Sequence, residues 1–423
     1  MKLHWQILIS IGLAFITGLL LPKDSQLLGV QLYNLLGFFG SVFLQGLKML
    51  VIPLVISSVI CGVAGIGSQK LGRMGWLTAA TFIGFTSSAV LVGLLMVNLF
   101  TPGIHNGKPA SDLLNLLDAE QVATQVAKVA ERDGGDIAGV FLRMIPTNIV
   151  AAASDDGQML GVIIFSLLFG YFLLQTAEPG HSAQLSFWRG LNDIMMRMTL
   201  FVMKFAPLGV YGLITQTVMN TGLKSLSVMG LFFITVAAGL ILHCFGTLAV
   251  YLKVFGRVNP VKHYQAMFPA MLTAFSTASS NASLPVNIKC LEENAKVSHK
   301  TTSFVLPLGA SLNMDGTALY ECVAVIFIAQ AYGVDLTTGQ QAIVVLMALL
   351  TSFGIAGIPA ASLVAISVIL GSLGLPIEAI ALLMVTDRIL DMLRTAVNVS
   401  SDSCCAVVVA RVEGEQGNIS TSS

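Results

Sequence analysis

Asp387, Asp391, Arg394, Asn398 and Asp402 follow one another at steps of 4, 3, 4 and 4 in a stretch that is otherwise apolar. On a helix turning about 100° per residue, those steps confine the five side chains to an arc of about 80°. An ionisable group at mid-bilayer costs about 2.5 to 3.5 kcal/mol even on a lenient insertion scale, so four on one stripe need a compensating role. Binding something charged is the default. Arg394 offers a rigid fork that matches a carboxylate bidentately, and Asp391 one turn away matches an ammonium. The pair suits a zwitterion with an extra carboxylate. Asp315, Glu321, Asp387, Asp391 and Asp402 face only Arg388 and Arg394 in this part of the chain, an excess of three negative charges if all ionise. Protons, a substrate ammonium or bound cations must offset it. Oxygen ligands without His or Cys beside them favour an alkali cation over zinc or copper, which makes sodium or protons stoichiometric partners of the substrate and calls for no organic cofactor.

These residues need elements that hold them inside a membrane. Of 423 residues, 55% are hydrophobic and 10% charged, against about 25% charged in a soluble domain. The composition gives an all-α, polytopic membrane protein in contact with lipid, and a net charge of zero argues against a nucleic-acid partner. Cys61, Cys244, Cys290, Cys322, Cys404 and Cys405 lack metal-ligand spacing and read as buried thiols. The run from Gln6 to Leu21 is too long for a signal core and is followed by Pro22-Lys23-Asp24-Ser25, so a retained first helix is expected. Further spans are expected at Tyr33–Ile66, Trp76–Phe100, Ile137–Leu174, Phe187–Val218 and Ser225–Val254, six in all before the C-terminal half. Lys70, Arg73, Lys253, Arg257 and Lys262 against the acidic loop Thr101–Asp136 place both termini in the cytoplasm and the loop outside.

Beyond Pro260 the apolar runs are interrupted. Ser276–Ser283 breaks Ala266–Ile288, and Thr351–Pro359 breaks Gln341–Leu373. Non-helical backbone at membrane depth is tolerated only inside protein or beside a watery cavity, so two re-entrant hairpins are expected. Each is followed by a polar-bearing helix, Thr301–Ala331 with N-M-D-G-T and Ile377–Val409 with the charged stripe. A unit occurring twice reads as inverted repeats with the site where they meet.

Asn313–Thr317, the serine-rich tip before Leu284-Pro285, the tip S-F-G-I-A-G-I-P and D-R-I-L-D-M-L-R-T-A-V-N-V-S-S-D from Asp387 to Asp402 together resemble the dicarboxylate/amino acid:cation symporter family. The resemblance covers nearly the whole chain and implies a homotrimer of eight transmembrane helices plus two re-entrant hairpins per protomer, an elevator-type fold. It implies scaffold helices 1–2 in residues 1–74, transport-domain helix 3 in 75–100, an extracellular loop at 101–136, scaffold helices 4–5 in 137–222, a transport core at 223–411 and a disordered cytoplasmic tail at 412–423. By motif, Asp391 takes the amino group, Arg394 with Thr317 the side-chain carboxylate, and Asn398 with the Ser280 N–H the α-carboxylate; carbonyls near Ala278 and Ile358 complete the ammonium site. One sodium site draws on Gly309, Asn313, Asn398 and Asp402, and a second on Ser311, Met314, Ser352, Phe353 and Ile355. A third uses Asp315, Asn313 and Thr86, but Phe82 and Phe85 stand where sodium-coupled archaeal members carry Tyr and Thr. Ala278 replaces an Arg of those members, with Arg388 as the electrostatic substitute. Glu321 matches the position tied to proton transport in the eukaryotic members.

The resemblance thus implies an acidic amino acid symporter, no enzyme, in the plasma (inner) membrane. Transport of C4-dicarboxylates or neutral amino acids, or an accompanying anion conductance, are the alternatives. Arg394 disfavours neutral substrates and Asp391 disfavours dicarboxylates without an amine. A serine hydrolase lacks G-x-S-x-G, and its six histidines are scattered. Asp387 can equally lock Arg388, Glu321 can be a neutral buried acid, and His243 reads as a packing residue.

Overall fold

The computed structural model describes residues 3–27, 30–67, 73–105, 107–110, 145–154, 159–221, 224–352 and 361–415. Among them the chain is almost entirely helical, with two small antiparallel strand pairs, β1 (Gln26–Leu27) with β2 (Val30–Gln31) and β3 (Ile104–His105) with β4 (Lys108–Pro109). The first helices are α1 (Leu3–Leu20), α2 (Leu32–Gly67), α3 (Arg73–Phe100), α4 (Ile149–Ala153) and α5 (Met159–Leu173). They are followed by α6 (Gly180–Met203), α7 (Ala206–Thr221), α8 (Lys224–Leu242), a π turn at His243–Thr247, and α9 (Leu248–Val254). The C-terminal half holds α10 (Pro260–Thr277), α11 (Ser280–Glu293), α12 (His299–Leu312), α13 (Asp315–Ala331), α14 (Thr338–Ser352), α15 (Ala361–Leu373) and α16 (Ile380–Val412).

Among the described residues three segments are long and apolar enough to cross a membrane, Arg73–Phe100, Val228–Val254 and His299–Ala331. The span expected at Phe187–Val218 is instead two helices, α6 and α7, meeting at a 54° bend. Pro207 explains the break, because its ring carries no N–H for a continuous helix. Of the span expected at Ile137–Leu174, only α4 and α5 are among the described residues, and most of the acidic loop lies outside them.

The helices gather into two neighbourhoods, which touch where α16 meets α7 and α1 and where α2 meets α12 and α15. Helix α2 lies against α5, α6 and α7, and α1 against α7; α3 lies against α13, α8 and α16, with α10 and α12 also on α16. Where the first hairpin is expected, α10 and α11 pack against each other. Its interruption is narrower than the serine run foretells. Ala278 ends α10 in the left-handed region (φ 49°), and Ser279 caps α11 through the Ala282 N–H, so Ser280–Ser283 are helical. The second interruption coincides with the gap between α14 and α15, but residues 353–360 lie outside the described set.

The helix expected at Thr301–Ala331 is two helices, broken at Asn313 and Met314. Side chains of α16 satisfy groups that the break exposes. Asn398 Oδ1 accepts from the Gly316 N–H at 2.8 Å. A Cβ on Gly316 would meet the Arg394 carbonyl at 2.8 Å, so glycine lets α13 and α16 approach at their polar faces. The tail also departs from expectation, since Val412 closes α16 and Glu415 is docked: its carboxylate accepts from the Ser298 N–H at 3.1 Å and the Ser298 hydroxyl at 2.6 Å, and also from the Thr301 hydroxyl. Residues 416–423 lie outside the described set.

Candidate functional site

The stripe on α16 is buried throughout, as the 3.6-residue period requires of a helix enclosed by α3, α10, α12 and α13. Arg394 is 1% exposed. Its Nη2 donates to Asp391 at 2.9 Å and Asp387 at 3.1 Å, while Arg388 Nη1 reaches the other Asp391 oxygen at 3.4 Å. The guanidinium carbon lies 3.9 Å from the centroid of the Tyr320 ring, a cation–π contact that fixes its plane. Among the described residues, Arg394 Nε and Nη1 have no acceptor. Buried donors left unmatched are costly, and here they belong to a guanidinium, whose natural complement is a carboxylate.

One turn further, Asn398 Nδ2 donates to the Thr317 hydroxyl at 3.1 Å and to Met314 Sδ at 3.3 Å. The helix break thereby brings Thr317 beside Asn398, on the same side of α13 as Tyr320. Ser280 is 2% exposed at the start of α11, and its hydroxyl has no partner among the described residues. Arg394 with Asp391, and Asn398 with Thr317, are two hydrogen-bonded pairs about one turn apart along α16.

The lower end of the stripe is different in kind. Asn313 Nδ2 donates to Asp402 at 3.0 Å and to the Ser401 hydroxyl at 2.9 Å. Ser401 donates in turn to Asp315 Oδ2, and Thr86 donates to Asp315 Oδ1 at 2.7 Å. A Cβ on Gly309 would collide with the Asp402 carboxylate, so glycine gives that acid its place against α12. Asn313 Oδ1 is buried without a partner among the described residues. Two carboxylates and an orphaned amide oxygen make an oxygen-rich locus with the ligand chemistry of a hard cation. Among the described residues no group of three His, Cys, Asp or Glu side chains is arranged for a metal.

Other residues singled out by sequence fall as follows. Ser311 is exposed and lines a cavity of about 320 Å³ that also touches Asn281 and, across the way, Asn192 and Asp193. Ser352 is buried with its hydroxyl on the Leu349 carbonyl at 2.7 Å; Phe353, Ile355 and Ile358 lie outside the described residues. Phe82 and Phe85 are both buried, and the Phe85 ring sits 4.5 Å from that of Tyr251. Glu321 Oε2 lies 2.6 Å from the Thr351 hydroxyl, and Oε1 has no partner among the described residues. Three participants were not foreseen in these roles. Tyr320 shares a helix face with Thr317, a signal visible at i+3. Ser401 precedes Asp402 and so points off the stripe. His243 lies 3.2 Å from Asp315 Oδ2 across a tertiary contact that spacing cannot show.

The family model described as the sodium:dicarboxylate symporter family matches residues 3–412. The chain belongs to this family. It is similar to the proton/glutamate-aspartate symporter of Escherichia coli (strain K12), 37% identical with 97% of this chain and 93% of the relative covered. The proton/sodium-glutamate symport protein of Bacillus caldotenax is also 37% identical, over 98% of this chain and 95% of its own. Excitatory amino acid transporter 3 of Mus musculus is 32% identical over 99% and 88% respectively. A family of symporters, together with the long apolar helices, makes this a membrane protein.

Proposed function

We propose that the protein carries L-glutamate, L-aspartate or both across the plasma (inner) membrane, driven by sodium, protons or both. The observation that carries this reading is the Arg394 guanidinium, enclosed between Asp387, Asp391 and Tyr320 with Nε and Nη1 unmatched among the described residues. An incoming side-chain carboxylate accepts from those donors and from Thr317. The substrate ammonium goes to Asp391, whose charge is divided between Arg394 and Arg388, with tip carbonyls near Ala278 and Ile358 completing its shell. The α-carboxylate goes to Asn398 and the start of α11 at Ser280, where a helix N-terminus favours an anion.

Sodium is the co-substrate, with Gly309, Asn313, Asn398 and Asp402 for one ion, Ser311, Met314, Ser352, Phe353 and Ile355 for a second, and Asp315, Asn313 and Thr86 for a third. The relatives named for proton/sodium symport support such coupling. Glu321 is the proton candidate. The Thr351 hydroxyl has one hydrogen but two close acceptors, Glu321 Oε2 at 2.6 Å and the Met347 carbonyl at 2.8 Å. A proton on Glu321 supplies the second hydrogen bond.

The division of packing around α2 and around α16 supports a scaffold at 1–74 and 137–222 and a moving body at 75–100 and 223–411, with the loop 101–136 outside and both termini inside. In this reading eight spans and two hairpins make a protomer, three protomers a trimer, and the moving body shuttles as an elevator. The test is uptake of radiolabelled L-aspartate and L-glutamate into proteoliposomes under a sodium gradient, a proton gradient, both or neither. Uptake that requires a gradient and disappears in Arg394→Ala is the expected result. Gradient-driven uptake of succinate or a neutral amino acid in place of both acidic ones would overturn it.

A further inference from the structure

His243 is fully buried where the α8–α9 rod passes through its π turn. Such insertions widen a helix locally and recur where a side chain has to be aimed. The ring is engaged at both nitrogens: Nε2 lies 3.2 Å from Asp315 Oδ2, and Nδ1 lies 3.0 Å from the Thr247 hydroxyl. A carboxylate only accepts, so Nε2 carries hydrogen; in the neutral ring Nδ1 is an acceptor, and the one Thr247 hydrogen is shared between it and the His243 carbonyl at 3.1 Å. Asp315 therefore takes donors from three separate elements, Thr86 of α3 on Oδ1, and Ser401 of α16 and His243 on Oδ2. Two donors fill the lone pairs of Oδ2, whereas among the described residues Oδ1 has a single donor and keeps one lone pair free.

We infer that His243 is a positioning residue for a cation site at Asp315. It holds the carboxylate so that the remaining acceptor capacity lies on Oδ1, where a hard cation takes it. Thr247 holds the imidazole in turn. Ser401 links this acid to Asn313, whose own Oδ1 is buried and without a partner among the described residues, so an error in the Asp315 rotamer propagates to the neighbouring oxygens. The inference rests on the reading that this locus takes sodium.

The test uses the full-length protein in proteoliposomes, comparing wild type with His243→Leu, His243→Gln and Thr247→Val, each first matched by size-exclusion profile. The readouts are the sodium concentration for half-maximal L-aspartate uptake and the KM for L-aspartate at saturating sodium. Loss of a buried hydrogen bond to a charged group predicts an increase of about tenfold in half-saturating sodium for His243→Leu. The KM at saturating sodium stays within about twofold, because the Arg394 end is untouched. His243→Gln, which can return an N–H near the same place, recovers most of the loss, and Thr247→Val gives a smaller shift in the same direction. A His243→Leu protein with wild-type sodium dependence overturns the inference, as does His243→Gln faring no better than His243→Leu. Wild-type uptake indifferent to sodium overturns the sodium reading itself, and this inference with it.

Discussion

The two ends of the α16 stripe solve opposite electrostatic problems. Around Arg394, two carboxylates and a second arginine are already engaged with one another, and the capacity left over is donor capacity on Nε and Nη1. Around Asp402 and Asp315, the partners are amide, hydroxyl and imidazole groups with no Lys or Arg among them, and the capacity left over is on acceptor oxygens. One end is short of an anion and the other short of a cation, and they lie on the same helix two turns apart. A ligand at either end lowers the cost of burying the unmatched groups, and Asn398, which holds Thr317 and the Gly316 N–H between them, ties one to the other. In the proposed reading, substrate at one end and cation at the other are coupled reciprocally.

Removing the guanidinium gives the largest effect. Arg394→Ala leaves Asp387 and Asp391 buried together without their shared partner, a loss of about 3 to 5 kcal/mol for a broken buried pair. Acidic substrate affinity should fall by more than about a hundredfold in an equilibrium binding measurement. Retained aspartate affinity would show that the upper end is not where the anion goes. Asp402→Asn ranks second. It removes one acceptor charge from the lower end, and the half-saturating sodium concentration should rise by about ten- to a hundredfold. Substrate KM at saturating sodium should stay near wild type. A variant that loses substrate affinity without any change in sodium response would merge the two ends into one site.

How far the sequence reveals this contrast depends on the period of the element. The α16 stripe is legible because helical spacing alone puts Asp387 to Asp402 on one face. The break at Asn313 and Met314, between α12 and α13, is not legible, since neither residue is a proline or glycine; α16 supplies a hydrogen-bond partner there through Asn398. Tyr320 illustrates an intermediate case. Its place on the Thr317 face follows from spacing, whereas its stacking on Arg394 depends on the packing of α13 on α16. Tyr320→Leu keeps the buried volume roughly similar and removes the aromatic face, so substrate affinity should weaken by about three- to tenfold, in proportion to a cation–π contact of about 1 kcal/mol. Sodium dependence should not change, and a shift in it would argue that the two ends share more than Asn398.

The smallest effect belongs to a carboxylate whose demands the protein itself meets. Glu415 follows the end of α16, receives the Ser298 N–H and the Ser298 and Thr301 hydroxyls at the start of α12, and thus lacks the unfilled acceptor capacity of Asp402. Partial burial pushes its carboxyl upward, but the hydrogen bonds from Ser298 and Thr301 and the nearby Lys300 charge outweigh that and hold it below its ordinary value of 4.5. The folded state therefore favours the ionised form. The stabilisation is present above the ordinary carboxylate range and is lost as the pH falls through the lowered value. Glu415→Gln should cost about 0.5 to 1 kcal/mol at neutral pH in a thermal unfolding measurement, a modest figure because the site is partly solvated. The difference from wild type should vanish once the pH has dropped well below 4.5. Uptake kinetics and sodium response should be unaltered. A sodium shift in Glu415→Gln comparable to that of Asp402→Asn would mean that any hydrogen-bonded carboxylate tunes the cation response, and that unfilled acceptor capacity is not what distinguishes the lower end of α16.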